Sequence, residues 1–371
     1  MSALRGFGAV LRKEALQMVR DKGTLRFSLM IPVFQLVLFG LIDTNVQHVP
    51  TAVYDQSRSA ESRQLIDDFV NTSYFDVVRF VASREELRRE IVAGHASVGV
   101  EIPPDYARRR LRGQPVDFLV LIDGSDSSIS AQTLAAANGL ALNRSVAELA
   151  RQAGARDLPV EARPTLLFNP DSRSANLLIP GLIAILLTFS GTLLSAYAIV
   201  RERERGTLEQ LMVTPASPLA VVLGKILPYL VLSFLQLLIV LALMVTVFRV
   251  PVHGSVLLLL GLSFVYLFAL LALGLLVSSR AKTQMEATQL AQMFLLPSIM
   301  LSGYIFPLSS LPGPLQALAQ VLPATHFIAI SRGIVIRGAS FFDLWEHVAA
   351  LLAIAAVLVA GSARAFRKTV S

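Results

Sequence analysis

Apolar positions in this chain fall in long unbroken runs rather than in the short alternations of a soluble protein. A helix crossing a bilayer core needs about 20 apolar residues. Six stretches approach that length, roughly Leu25 to Ile42, Leu177 to Val200, Lys225 to Phe248, Ser255 to Ser279, Ala287 to Phe306 and Leu344 to Ala363. The second is the purest, because all twenty-five residues from Asn176 to Val200 are uncharged. The first and last are the weakest spans: Phe27 to Ile42 holds only sixteen uncharged residues, and the last carries Glu346 and His347 near its start. Short spans with snorkelling ends accommodate both. Residues 1–24 are polar and basic, with Leu4, Phe7, Leu11, Ala15 and Met18 recurring at spacings of three and four. That spacing predicts an amphipathic helix on the membrane surface, its apolar stripe toward lipid or protein and Arg12, Lys13, Arg20 and Lys22 toward headgroups. No cleavable-signal pattern is present in this stretch.

Between the first two runs the pattern changes. Short β-like runs ("TAVYD", "DVVRFV", "ASVGVEI", "PVDFLVLID", "PTLLFN") alternate with helical patterns ("SAESRQLIDDFV", "REELRREIVAG", "DYARRRLRG" and the long stretch from about Ser128 to Gln152). The alternation predicts an α/β domain over residues 45–175 with a small mixed sheet. In its long last helix Leu134, Asn138, Ala141 and Leu149 form a weak apolar face, suited to packing against a second subunit. The predicted fold class is therefore an α-helical integral membrane protein with six transmembrane helices and an α/β extracytoplasmic domain between spans one (25–44) and two; spans two to six lie within 176–371.

Composition agrees: of 371 residues 54% are hydrophobic and 16% charged, and the mean hydropathy is +0.61. A net charge of +7 invites a nucleic-acid reading, but the basic residues flank the apolar runs, as membrane-facing loops do. With the N-terminus inside, the inner segments collect fifteen Lys and Arg and the short outer loops only Arg249, Arg332 and Arg337. The positive-inside rule then places both termini in the cytoplasm. The 45–175 segment has fifteen arginines, seventeen acidic residues and no lysine.

The most specific local pattern is "RERERGTLEQLMVTPASP", Arg201 to Pro218. Gly206 frees the chain to turn, Thr207 and Gln210 form a capping box, and Leu208, Leu211 and Met212 share one face of the short helix that starts there. Thr214 before Pro215 ends it, and Ser217 with Pro218 starts the next span. Snorkelling to headgroups accounts for Arg201 and Arg205. It does not account for Glu202 and Glu204, since carboxylates beside an anionic leaflet call for a protein partner. An apolar face with a charged rim has the form of a docking site.

These residues resemble the signature of the permease subunits of ABC-2 type exporters, with the E-R-E-x-G-T-x-E-x-L core at Glu202, Arg203, Glu204, Gly206, Thr207, Glu209 and Leu211, followed by Thr214, Pro215, Gly224 and Lys225. The resemblance extends to the "KE…RD" element (Lys13, Glu14, Arg20, Asp21), to the large domain after span one, and to "LSGYIFPLSSLPGPLQALAQVLPATHF" after span five. It implies six spans, a second permease copy or paralogue forming a dimer, and a coupling helix near 207–214 docking into a separate ATPase subunit that carries ATP and Mg2+. A periplasmic adaptor is a further candidate partner, and the bacterial inner membrane the expected location. The implied cargo is amphiphilic or hydrophobic, drug-like or lipid-like. Independently of the resemblance, Gly303, Pro307, Pro312, Gly313, Pro314 and Pro323 interrupt an apolar stretch over 302–332. Re-entrant half-helices near the exit of the pathway fit this, and so does a helix on the outer surface.

Other chemistry finds little support. Gly224 and Lys225 belong to no phosphate loop, so this chain carries no ATPase site by that route. The absence of cysteine removes thiolate chemistry, and the five histidines lack metal spacing. "DGSDSS" at Asp123 to Ser128 reads as a strand-to-helix turn. Gln35, Ser233, Gln236, Tyr266, Gln289 and Gln292 in the spans suit inter-helix hydrogen bonds, and the lack of a mid-membrane acid argues against a proton-driven carrier. The expected cofactor, metal and catalytic sets are thus empty, with no nucleic-acid partner. A ligand sensor and a force-transmitting machine without translocation are the competing classes.

Overall fold

The computed structural model describes residues 6–42, 47–125, 127–152, 168–170, 173–206 and 217–368. The chain divides into two compact units, one formed by Met1–Asp43 with Leu166–Ser371 and the other by Thr44–Thr165.

The first unit is helical: α1 (Phe7–Arg20), α2 (Lys22–Gly40), then, beyond the second unit, α7 (Ser174–Glu204), α8 (Pro218–Thr246), α9 (Val256–Arg280), α10 (Gln284–Leu301), α11 (Gly313–Ala319), α12 (Pro323–Arg337) and α13 (Trp345–Lys368). The intervening α3 to α6 belong to the second unit. Among the described residues five helices are long and apolar enough to span a bilayer, α2, α7, α8, α9 and the Phe342–Ala365 stretch, which joins a 3-10 turn (Phe342–Leu344) to most of α13, or up to six if α11 and α12, bent by 79°, count as one broken span. The fifth predicted span differs. It is helical as α10, with 18 residues, but Gln284, Glu286, Gln289 and Gln292 keep it outside the apolar set. It also ends at Leu301 rather than Phe306, where Gly303 takes a left-handed φ of 82°.

α7 is the axis of this unit, with most of its length buried against α2, α8, α9, α10 and α12. Lipid tails are as apolar as leucine, so close packing and inter-helix hydrogen bonds hold such helices together. Gly274 of α9 lies so near α7 that a Cβ there would land on Ser195 Oγ and the Thr192 carbonyl. Two of the polar residues expected to bond between helices do so: the Tyr266 hydroxyl donates to the Ala184 carbonyl at 2.9 Å, and the Gln236 amide to Ser190 Oγ at 2.8 Å. Gln35 Oε1 and Ser233 Oγ, by contrast, are buried without a hydrogen-bond partner among the described residues, and Gln289 and Gln292 are exposed. Tyr266 stacks on Phe327 of α12 with ring centroids 4.1 Å apart.

The break between α11 and α12 leaves carbonyls unserved at the α11 terminus. The Thr325 hydroxyl donates to Ala319 O at 2.7 Å, and His326 Nε2 lies 2.8 Å from Gln320 O. Arg332 of α12 donates to the carbonyls of Gly303 at 2.8 Å and Tyr304 at 3.2 Å. Pro307 and Pro312 flank a short 3-10 turn, Leu308–Ser310, and Pro323 occupies the first position of α12. Irregular backbone in a membrane protein is sustained by such local acceptor service.

The second unit holds β1 (Val49–Asp55), α3 (Ala60–Asn71), β2 (Phe75–Phe80), α4 (Arg84–Val92), β3 (Val98–Ile102), α5 (Tyr106–Leu111), β4 (Leu119–Ile122) and α6 (Ser127–Gln152). The sheet order is β2-β1-β3-β4, with β1 parallel to β2 and β3, and β4 antiparallel to β3. The sheet separates two cores: Val49 and Val53 of β1 with Val98, Val100 and Ile102 of β3 pack with Phe69, Phe75, Tyr106 and Leu140, whereas Ala52 of β1 packs with Val81, Leu87 and Ala96. Gly99 gives α4 room, since a Cβ would sit 3.0 Å from Leu87 and Ile91. Ser59 and Ser62 form a capping box at the start of α3. α6 packs through Ala137 and Leu140, leaving Leu134, Asn138 and Leu149 exposed. The "PTLLFN" run lies outside the described residues except for Phe168 and Asn169, which are not in a strand.

Gly274→Ala should destabilise the helical unit by about 1–3 kcal/mol, the usual penalty for overpacking a close contact, read as a lowered unfolding temperature in detergent.

Candidate functional site: a charge hub where α7 ends

The last turn of α7 carries Arg201, Glu202, Arg203 and Glu204. Successive helical residues point about 100° apart, so each of the four addresses a different neighbour. Arg201 pairs with Asp21 at 2.6 Å. Asp21 is the N-cap of α2, accepting from Thr24 N at 3.0 Å and Thr24 Oγ1 at 2.7 Å. The Thr24 hydroxyl and backbone N–H, and after them Arg201, hold the Asp21 carboxyl below its ordinary range against some desolvation. Arg203 donates to the carbonyls of Ala281 and Ser279 just beyond and at the end of α9. Glu204 accepts the Gln284 backbone N–H at 2.8 Å and the Gln284 side-chain amide at the start of α10.

Glu202 is the most buried of the four. Lys225 Nζ of α8 lies 2.7 Å from Glu202 Oε2 and 2.6 Å from Glu14 Oε1 of α1, and Lys13 also pairs with Glu202. The side chains of Lys225, Glu14 and Glu202 are 0%, 1% and 2% exposed. One ammonium therefore bridges two carboxylates out of reach of water, and a second cation completes the group. Gly224 brings α1 and α8 close enough for this: a Cβ there would approach Val10 Cγ1 to 2.9 Å. The Ser217 hydroxyl, accepting from Ala220 N at 3.2 Å, and Pro218 at the first position start α8 in the right register.

Two expectations are corrected. Glu202 and Glu204 need no second protein to balance them, because their partners are Lys13, Lys225 and Gln284 of the same chain. Nor do α1 and Arg201 face headgroups alone: Lys13 engages Glu202, Glu14 is buried against Lys225, and Arg201 is held by Asp21. Arg20 is exposed. Gly206 takes a φ of 68° and turns the chain out of α7. Thr207, Leu208, Glu209, Gln210, Leu211, Met212, Thr214 and Pro215 lie outside the described residues. Lys225 stands in the sequence as the second half of the Gly224–Lys225 pair and as an inner-face cation, and neither setting marks it as the buried centre of a charge group. Its place beside Gly224, a small residue admitting a neighbouring helix, is the signal that could have marked it.

Among the described residues no group of three or more His, Asp or Glu is poised to hold a metal. His326 and His347 approach, with Nδ1 atoms 3.3 Å apart, without a third ligand.

Fold and site together define a multi-pass membrane protein whose helix termini are gathered by one network of charges. A family model for ABC-2 family transporter proteins matches residues 22–364. The chain is 31% identical over 367 residues to the "Probable multidrug ABC transporter permease YbhR" of Escherichia coli strain K12, covering 97% of this chain and 98% of that one. It is 28% identical to the "Probable multidrug ABC transporter permease YbhS" of the same strain, over 95% and 94% of the two chains. It is also 30% identical to that strain's "Inner membrane transport permease YhhJ", over 96% of each. The chain belongs to the ABC-2 family of transporter membrane proteins.

Lys225→Met should cost about 3–5 kcal/mol, the scale for leaving buried charges without their partner. Adding Glu14→Gln and Glu202→Gln should recover most of the loss; the unfolding midpoint in detergent checks both.

Proposed function

We propose that this chain is the membrane-spanning permease of an ATP-driven exporter, working with a second permease copy or paralogue and with separate ATPase subunits that bind ATP and Mg2+. The observation carrying this reading is the charge hub. It joins the end of α7 to α1, α2, α8, α9 and α10, immediately before the 207–214 segment whose sequence has the form of a coupling helix. A push from an ATPase on Leu208, Leu211 and Met212 would reach all of those helices through Glu202, Arg203 and Glu204. Rigid-body rocking of packed helices is an established route to alternating access.

In this reading the N-terminus, the hub and the C-terminus face the cytoplasm of a bacterial cell, following the distribution of Lys and Arg. The α/β unit stands on the opposite side, as do Gly303, Pro307, Pro312 and Pro323 at the α11–α12 break, near the exit of the pathway. Amphiphilic or hydrophobic small molecules are the cargo, a reading supported by the nearly uncharged interior of the spans and by two relatives named as multidrug permeases. Glu209→Lys should abolish export while membrane insertion is retained, measured by transport and substrate-stimulated ATP hydrolysis in liposomes with the ATPase. Unchanged export would refute the coupling role.

A further inference from the structure

Two cavities meet at Arg201. One, of about 260 Å3, lies between α2 and α7 and is walled by Phe27, Ile31, Phe189 and Leu193, with Thr24 and Arg201 at its polar end. The other, of about 570 Å3, is lined by Lys13, Arg20, Arg201 and Arg205 with a single carboxylate, Asp21. Lys13 and Arg201 are engaged by Glu202 and Asp21. Arg20 and Arg205 are exposed and have no carboxylate partner among the described residues. A recess with surplus positive charge thus adjoins an apolar slot that lies among membrane-spanning helices. Inorganic phosphate or an acidic peptide would match the first cavity and leave the second unused. A phosphate head joined to an acyl chain matches both.

We propose that α1, α2 and α7 form a binding site for one anionic phospholipid, its phosphate against Arg20, Arg205 and Arg201 and the start of one acyl chain in the slot beside Phe27, Ile31, Phe189 and Leu193. The site rests on the membrane placement given above and on no property of the ATPase. Because it touches Asp21, Arg201 and Lys13, a bound lipid would brace the hub from its open side. The bilayer then acts as a ligand of the coupling apparatus as well as its solvent.

The test uses the purified full chain, delipidated in neutral detergent and titrated with palmitoyl-oleoyl phosphatidylglycerol or the matching phosphatidylcholine, with bound lipid counted by native mass spectrometry. One high-affinity site for phosphatidylglycerol is expected, with phosphatidylcholine at least about tenfold weaker, on the scale of two basic residues near an anionic headgroup. R20Q/R205Q should remove that preference, whereas R12Q/R26Q, which neutralises two exposed arginines outside the recess, should keep it. Leu193→Trp, filling the slot, should weaken both lipids, and millimolar inorganic phosphate should not displace the bound lipid. Equal affinity for the two lipids, an equal effect of the two double variants, or full displacement by inorganic phosphate would overturn the proposal. Neither ATP hydrolysis nor export enters this assay, so its failure leaves the exporter reading standing, and loss of that reading leaves the lipid count unaffected.

Discussion

The arrangement of the helical unit depends on one buried ammonium. Lys225 sits between Glu14 and Glu202, all three essentially without solvent contact. Charges so placed are costly unless each finds its partner. The three residues come from α1, α8 and α7, so satisfying the charges requires those helices to meet at one point. Gly224 permits the approach, Ser217 and Pro218 set the register of α8, and Asp21 with Arg201 adds α2. The demand it makes is geometric: the three charges pair only where α1, α7 and α8 meet in this register.

The rest of α7 is built differently. Through the span it is apolar and tightly packed, with isolated hydrogen bonds to α8 and α9 and a close approach at Gly274. Only its last turn is charged, and there each side chain leaves in a new direction. An apolar rod ending in a radial set of ionic and polar ties moves its neighbours with it when displaced. This mechanical property gives the alternating charges their role in the proposed coupling.

Much of the architecture was legible in the sequence. Long apolar runs mark membrane helices, because twenty uncharged residues have few other uses, and period-two runs between capped helices mark a sheet. The cap at Ser217 is legible because capping is local, involving atoms three residues apart. The pairing of Lys225 with Glu14 was not legible, because it joins residues 211 positions apart and each alone resembles an ordinary inner-face charge. The same limit misassigned Glu202 and Glu204: their local setting called for a partner, and the partners were in the same chain. The fifth apolar run was legible as Ala287 to Phe306, but the helix that contains it, α10, starts at Gln284 and ends at Leu301, so it gains Gln284 and Glu286 beside Gln289 and Gln292 and loses the last apolar residues. The Thr207 to Pro215 helix, the clearest local signal, falls outside the described residues.

The proposed coupling requires the hub to transmit ATP-driven motion rather than merely to anchor helices. The direct measurement is export and ATP hydrolysis followed side by side in the same proteoliposomes, comparing the native permease with the neutral E14Q/E202Q/K225M variant, whose buried charges are removed together. The account predicts a variant that inserts, assembles and supports ATP hydrolysis while export per ATP falls by about tenfold or more, a loss of roughly 1.4 kcal/mol or more in coupling. An unchanged ratio of export to hydrolysis would contradict it.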